Sequence, residues 1–171
     1  DTYSFPNDFS LARVIEVNKN SYMVATGDAE MAAELSGKFM FDAEAATDFP
    51  TVGDWVVAQP LDDNSLAIVH SVLPRKTLLK RKEPVKRIEF QLIASNIDIG
   101  MVVQSADNPN FNLLDRYFVM LNEAGIQPVV VFCKTDLVAP GELEELRENL
   151  QDRENQYVLI SNVAVGGTEA L

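Results

Sequence analysis

Between Ser10 and Leu73 apolar and polar residues alternate over short stretches, the period-two pattern of strands that turn one face to a core. Ala12-Arg13-Val14-Ile15-Glu16-Val17 comes first, Asn18-Lys19-Asn20 reads as a turn, and Tyr22-Met23-Val24-Ala25-Thr26 completes a hairpin. The same pattern predicts strands over Gly37-Lys38-Phe39-Met40-Phe41, over Asp54 to Ala58 entered through Gly53, and over Leu66 to Val72 after the polar turn Asp62-Asp63-Asn64. Five short strands in roughly 65 residues suit a small closed or nearly closed barrel; an OB-fold matches in size, and an SH3-like barrel fits the same pattern.

After about Arg87 the period changes. Ile97 to Gln104 is mostly apolar with one internal Gly, as in a strand buried on both faces. Asn112 is placed to cap a helix whose inward stripe is Leu114, Tyr117, Phe118 and Leu121, and Gly125 to end it. Pro128 to Cys133 reads as a second strand. Pro140 with Glu142, Glu144 and Glu145 opens a second helix with the stripe Leu143, Leu146 and Leu150, and Tyr157 to Ile160 is a third strand. This β-α-β-α-β run predicts a parallel sheet with right-handed crossovers and a ligand at the carboxyl ends of its strands. The expected organisation is therefore multidomain: an all-β barrel over 1–73, a basic linker over 74–90, and an α/β parallel-sheet segment over 91–171.

Composition narrows the function classes. With 47% apolar and 23% charged residues in 171, the chain is an ordinary globular one, and its longest apolar run, near Val129 to Cys133, is far short of the ~18 residues that cross a bilayer. No membrane partner is expected. The start carries neither an initiator Met nor a signal pattern and reads as the trimmed edge of something longer. The single cysteine, Cys133, excludes an intramolecular disulfide and a multi-cysteine zinc site, which suits a reducing cytoplasmic setting and a monomer held together by burial.

A net charge of -12 argues against a protein that coats nucleic acid, but the charge is unevenly spread. Arg75, Lys76, Lys80, Arg81, Lys82, Lys86 and Arg87 are half of the fourteen basic residues, opposed locally only by Glu83, so this stretch carries +6 and the remainder -18. A solvated linker would account for it; so would contact with a phosphate backbone beside an OB barrel.

Two segments carry candidate chemistry. Cys133-Lys134-Thr135-Asp136 closes the second parallel strand and is similar to the Asn-Lys-x-Asp guanine motif of GTPases. A carboxylate at Asp136 accepts from both the ring N–H and the exocyclic amine of guanine, a donor pair that adenine lacks, while the stem of Lys134 lies along the base. Ile160-Ser161-Asn162-Val163 closes the third strand, where GTPases place a backbone N–H on guanine O6. No G-x-x-x-x-G-K-[ST] phosphate loop is present, the only Gly-Lys pair being Gly37-Lys38, and no G-x-G-x-x-G supports a nicotinamide enzyme. Catalytic residues and metal ligands are assigned to none of these positions. His70 and the pair Asp115 and Arg116 read as structural, and Trp55 as packed in or capping the barrel, with RNA stacking as the lesser alternative.

The ordered series Pro50-Thr51-Val52-Gly53-Asp54-Trp55-Val56, Pro74-Arg75-Lys76-Thr77-Leu78-Leu79-Lys80-Arg81-Lys82, Gln91 to Asp98, Asn112 to Tyr117 and the two guanine segments resembles the amino-terminal part of the circularly permuted, ribosome-small-subunit-dependent GTPases, the RsgA or YjeQ family. The resemblance implies an OB-fold RNA-binding barrel followed by the first half of a permuted P-loop GTPase-like domain. It implies GTP with Mg2+ as ligand, Cys133, Lys134, Asp136, Ser161 and Asn162 at the nucleotide, and the basic residues on ribosomal RNA. It also implies GTP hydrolysis stimulated by the small ribosomal subunit during late maturation, a phosphate loop beyond Leu171, and a structural Zn2+ only in a further carboxyl-terminal domain. Cys133 departs from the family's usual Asn or Thr. The competing expectation is an OB-fold RNA-binding adaptor whose GTPase half has degenerated.

Overall fold

The computed structural model describes residues 8–19, 21–61, 65–82, 90–152, 156–165 and 167–169. Asn20, the turn Asp62-Asp63-Asn64, and Lys86 and Arg87 lie outside the described residues. The chain forms two compact units, Asp1–Ile97 and Asp98–Leu171.

In the first unit, β1 (Ser10–Val17), β2 (Tyr22–Ala25), β3 (Glu30–Leu35), β4 (Trp55–Leu61) and β5 (Leu66–Val72) close a barrel in the order β1-β2-β3-β5-β4. β3 and β5 run parallel and β1 pairs with both β2 and β4. With a helix between β3 and β4, this is the OB arrangement. Alternate residues point inward, and the interior holds Ala12, Val14, Val24, Met31, Ala33, Val56, Ala58, Ala67 and Val69, small because a five-stranded bore is narrow. Each fully buried valine contributes ~1.5–3 kcal/mol by removal from water.

The strand expected over Gly37 to Phe41 is instead a helix, α1 (Gly37–Asp42). Ser36 starts it, its Oγ accepting from the Phe39 N–H at 3.1 Å. The alternating apolar residues bury nothing as a strand would: Phe41 is 89% exposed. The strand at this point of the barrel is β3, built from Glu-Met-Ala-Ala-Glu-Leu, whose helix-forming composition yields to backbone pairing on both sides.

The expected linker over 74–90 contains a strand. β6 (Leu78–Lys82) pairs antiparallel with β7 (Phe90–Ser95), and both are clasped to the barrel. Ser95 N donates to Val52 O at 2.8 Å, Asn96 Nδ2 to Gly53 O at 2.9 Å, and the Thr77 hydroxyl exchanges hydrogen bonds with Ile97. Gly53 has φ 92°, and a Cβ there would lie 2.2 Å from Ser95 O, so only glycine admits this approach.

In the second unit, β8 (Ile99–Ser105), β9 (Gln127–Cys133) and β10 (Tyr157–Leu159) form a parallel sheet in the order β10-β9-β8, joined by α2 (Phe111–Glu123) and α3 (Pro140–Asp152). Asn110, not Asn112, caps α2, its Oδ1 accepting from Leu113 N at 3.0 Å. Leu114, Phe118 and Leu121 are buried, whereas Tyr117 is half-exposed and does not belong to the inward stripe. Gly125 takes φ 72° just after the helix. Gly100 lets α2 pack close to β8: a Cβ there would sit 2.5 Å from the end of the Leu121 side chain, which would have to shift. β8 was expected to be buried on both faces; Val102 is buried, but Met101 and Val103 are 58% and 62% exposed, since among the described residues nothing covers that face.

Candidate functional site

The two guanine-type segments are 25 residues apart in sequence and adjacent in space. The register of the parallel strands brings this about: Leu159 stands beside Phe132, so β9 and β10 release their chains side by side at their carboxyl ends. Cys133 is the last residue of β9. Lys134 follows in the left-handed region at φ 59°, ψ 39°, which turns the backbone into the short helical turn Thr135–Leu137 and brings Asp136 to the surface. A non-glycine residue held there carries strain that its surroundings must offset. Thr135 supplies the restraint, its N–H and its hydroxyl both donating to Ile160 O at 3.2 and 3.1 Å.

Ser161 is 3% exposed and organises the corner. Its hydroxyl donates to Asp136 Oδ1 while accepting from Val163 N at 3.2 Å and Ala164 N at 3.1 Å. Its own N–H is taken by Gly167 O at 2.9 Å and is not available to a ligand. Among the described residues, no acceptor engages the Asn162 N–H and no donor engages Asp136 Oδ2. An exposed carboxylate with one oxygen anchored, beside a free backbone N–H, matches the donors and the O6 acceptor along one edge of guanine. The sequence pointed to the backbone at Ser161 and Asn162; that the Ser161 side chain fixes Asp136 was not readable from spacing.

Cys133 Sγ donates to Gln104 O at 3.2 Å, and the Cys133 carbonyl accepts from Ala106 N at 2.8 Å, so the residue braces the end of β8. In the loop that follows β8, the Ser105 hydroxyl donates to Asp107. This contact, with a smaller attraction from Lys134, holds the Asp107 carboxyl below its ordinary range. Among the described residues no group of three His, Cys, Asp or Glu side chains is placed to hold a metal.

The basic residues separate into two kinds. Arg75 is not a surface cation: its side chain is 15% exposed, Nε and Nη2 donate to the two oxygens of fully buried Asp54 at 2.8 and 2.7 Å, and Nη1 and Nη2 reach Thr47 O and Phe49 O. Asp54 also accepts from Thr51 N and Ser95 Oγ. Arg75 thus completes a buried network that fixes the barrel loop, the 3-10 turn Ala46–Asp48 and β7. Lys76, Lys80 and Arg81 are exposed, and Lys82 lies in β6 opposite Phe90. The Lys80 ammonium sits 4.4 Å above the Phe90 ring, and Arg81 Nε donates to Gln91 Oε1 at 2.8 Å.

Trp55 does not pack inside the barrel; it is 39% exposed on the outer wall, with Arg13 5.5 Å from its ring. His70 meets Gln59 and the edge of Phe9, a structural setting. Two cavities among the described residues are not lined by Asp136. One, of about 510 Å³, is bounded by Phe39, Asp48, His70 and Arg75 in the first unit; the other, of about 330 Å³, by Asp107, Phe111, Glu142 and Asn149 in the second.

The sequence profile of the RsgA GTPase family matches residues 72–171. A small ribosomal subunit biogenesis GTPase RsgA 1 from Oceanobacillus iheyensis is 38% identical over 130 residues, covering 75% of this chain and 37% of that protein. A small ribosomal subunit biogenesis GTPase RsgA from Leptospira interrogans is 31% identical over 153 residues, 89% of this chain and 38% of its own length. The chain therefore spans little more than a third of these relatives. In fold it is similar to the crystal structure of YjeQ from Thermotoga maritima, with a TM-score of 0.70 at 21% identity over 90% of this chain and 52% of that one. It is also similar to YloQ, a circularly permuted GTPase, with a TM-score of 0.69 at 20% identity over 95% of this chain and 55% of that one.

Proposed function

The chain belongs to the RsgA GTPase family, and on that footing we propose that it supplies the guanine-reading corner and the RNA-docking arm of a GTPase that acts in biogenesis of the small ribosomal subunit. The observation that carries the reading is Asp136 presented at the surface by Ser161, with the Asn162 N–H unengaged beside it. Asp136 accepts from the guanine ring N–H and amine, Asn162 N–H donates to O6, and the stem of Lys134 covers the base plane. These contacts select guanine over adenine, because adenine offers neither the donor pair nor the O6 acceptor.

Bound Mg2+ would neutralise the phosphate charge during transfer to water, and no residue of this chain is assigned to hold it or to position that water. What these residues do is bind and orient the base. Lys76, Lys80, Arg81 and Lys82, with Lys86 and Arg87 in the same stretch, meet ribosomal RNA phosphates, so that docking and nucleotide state reside in one protein. The cytoplasm is the matching location, GTP and GDP are the small ligands, and the protein acts as a monomer. The test is GTP turnover by the full-length protein with and without small subunits. Turnover raised by the subunits supports the reading; nucleotide binding that does not distinguish guanine from adenine overturns it. The 171-residue chain by itself is expected to turn over no GTP.

A further inference from the structure

Among the described residues of the first unit, two aromatic rings have a cation over one face: Trp55 with Arg13 on the barrel wall, and Phe90 with Lys80 on the β6–β7 hairpin. Both have the composition of a platform on which a nucleobase stacks while a neighbouring cation meets its phosphate. Charge separates them. Residues 10–73 contain three basic side chains against ten acidic ones, so an RNA strand approaching Trp55 meets a repulsive wall. Around Phe90 the balance is the reverse: residues 76–95 contain six basic side chains against two acidic ones, Glu83 and Glu89.

Geometry adds to this. The register sets Lys80 opposite Leu92, two positions from Phe90, so Lys80, Leu92 and Phe90 share one face of the ribbon, while Arg81 and Gln91 share the other and bond to each other. One face is therefore cationic and aromatic and the other is closed on itself. The ribbon is not a tether, because Ser95 and Asn96 fix its β7 end to Val52 and Gly53 of the barrel, and Thr77 ties the β6 end to Asn96 and Ile97. A rigid platform binds without the ordering cost that a flexible linker would incur.

We infer that Phe90 is a base-stacking residue: an unpaired nucleotide of the RNA lies on its ring, and the Lys80 ammonium leaves that ring for the adjoining phosphate. This rests on the RNA reading given above for the basic strip. It adds a contribution that salt does not screen, because stacking releases no counterions, whereas each lysine–phosphate contact does.

The experiment measures affinity of the full-length protein for small subunits, and for a single-stranded uridine-rich RNA oligonucleotide, across a range of salt concentrations. Four proteins are compared: parental, Phe90→Leu, Phe90→Trp, and Lys80→Ala/Arg81→Ala/Lys82→Ala. Phe90→Leu is expected to bind on the order of tenfold more weakly at every salt concentration with an unchanged slope, and Phe90→Trp to bind at least as well as the parent. The triple variant is expected to show a shallower slope. Parental affinity in Phe90→Leu, or an equal loss in Phe90→Leu and Phe90→Trp, overturns the stacking role while the triple variant still shows its effect. An unchanged slope in the triple variant overturns the RNA reading itself, and the stacking role with it.

Discussion

Arg75 and Asp54, 21 positions apart, form a two-pronged ion pair sealed inside the first unit, with Asp54 fully buried and every prong of the guanidinium turned to an oxygen. In sequence Arg75 is one of seven cations in a strip. Among the described residues of that strip, it is the one whose loss strands a buried carboxylate. Removing one partner of such a pair costs about 3–5 kcal/mol, since the other charge stays buried and uncompensated. Arg75→Ala is therefore expected to lower the melting temperature of the first unit by more than about 10 °C. Arg75→Lys should not rescue it, because an ammonium cannot span both carboxylate oxygens and the carbonyls of Thr47 and Phe49. Thermal unfolding checks this; an Arg75→Ala protein with parental stability and weakened RNA binding would return Arg75 to the surface role.

Ser161→Ala tests the corner from the side of its anchor. The substitution removes the donor to Asp136 and leaves the Val163 and Ala164 N–H groups without their acceptor. Affinity of the full-length protein for guanine nucleotides is expected to fall on the order of tenfold, about 1.4 kcal/mol, with little change in far-UV circular dichroism. Titration with a fluorescent GDP analogue measures it, and undiminished affinity would show that Asp136 needs no anchor.

Acid stability follows from two carboxylates. Asp48 accepts from the Ala45 and Glu44 N–H groups, which with a weaker pull from Arg75 hold its carboxyl below the ordinary 3.8; Asp107 is held down by Ser105. In each case the folded state binds fewer protons than the unfolded one as pH falls through the ordinary carboxyl range. The stabilisation is complete above that range and is lost as pH drops through the lowered folded values. Melting temperatures from pH 7 down to 2 should fall on the acid side, and Asp48→Asn should flatten that limb for the first unit. An identical limb in the variant would remove Asp48 from the account.

The barrel and the three-stranded sheet were legible because both rest on periodicity that burial enforces, as at Ala12, Val14 and Val56 or at Leu114, Phe118 and Leu121. Where the sequence misled, tertiary pairing had overruled local preference. Lys38-Phe39-Met40-Phe41 alternates like a strand but has no neighbour to pair with, whereas Glu30 to Leu35, rich in helix formers, lies between two strands that need it. The basic stretch looked like a linker because β6 is a polar strand whose partner, β7, begins after an interval of seven residues. At the site, the residue types and their strand ends were readable. The Ser161 hydroxyl on Asp136 and the burial of Arg75 were not, since both depend on side-chain direction across 25 and 21 positions of sequence.

The central claim is that Asp136 reads guanine. Asp136→Asn in the full-length protein replaces an acceptor-only carboxylate with an amide that also donates, which suits xanthine, whose C2 carries an oxygen in place of the guanine amine. The decisive measurement is competition of GDP, XDP and ADP for the nucleotide site in parental and variant proteins. The variant is expected to lose GDP affinity by about a hundredfold, roughly 2.7 kcal/mol, and to gain XDP affinity, with ADP weak for both. A variant that keeps its preference for GDP would contradict the assignment of this corner to guanine.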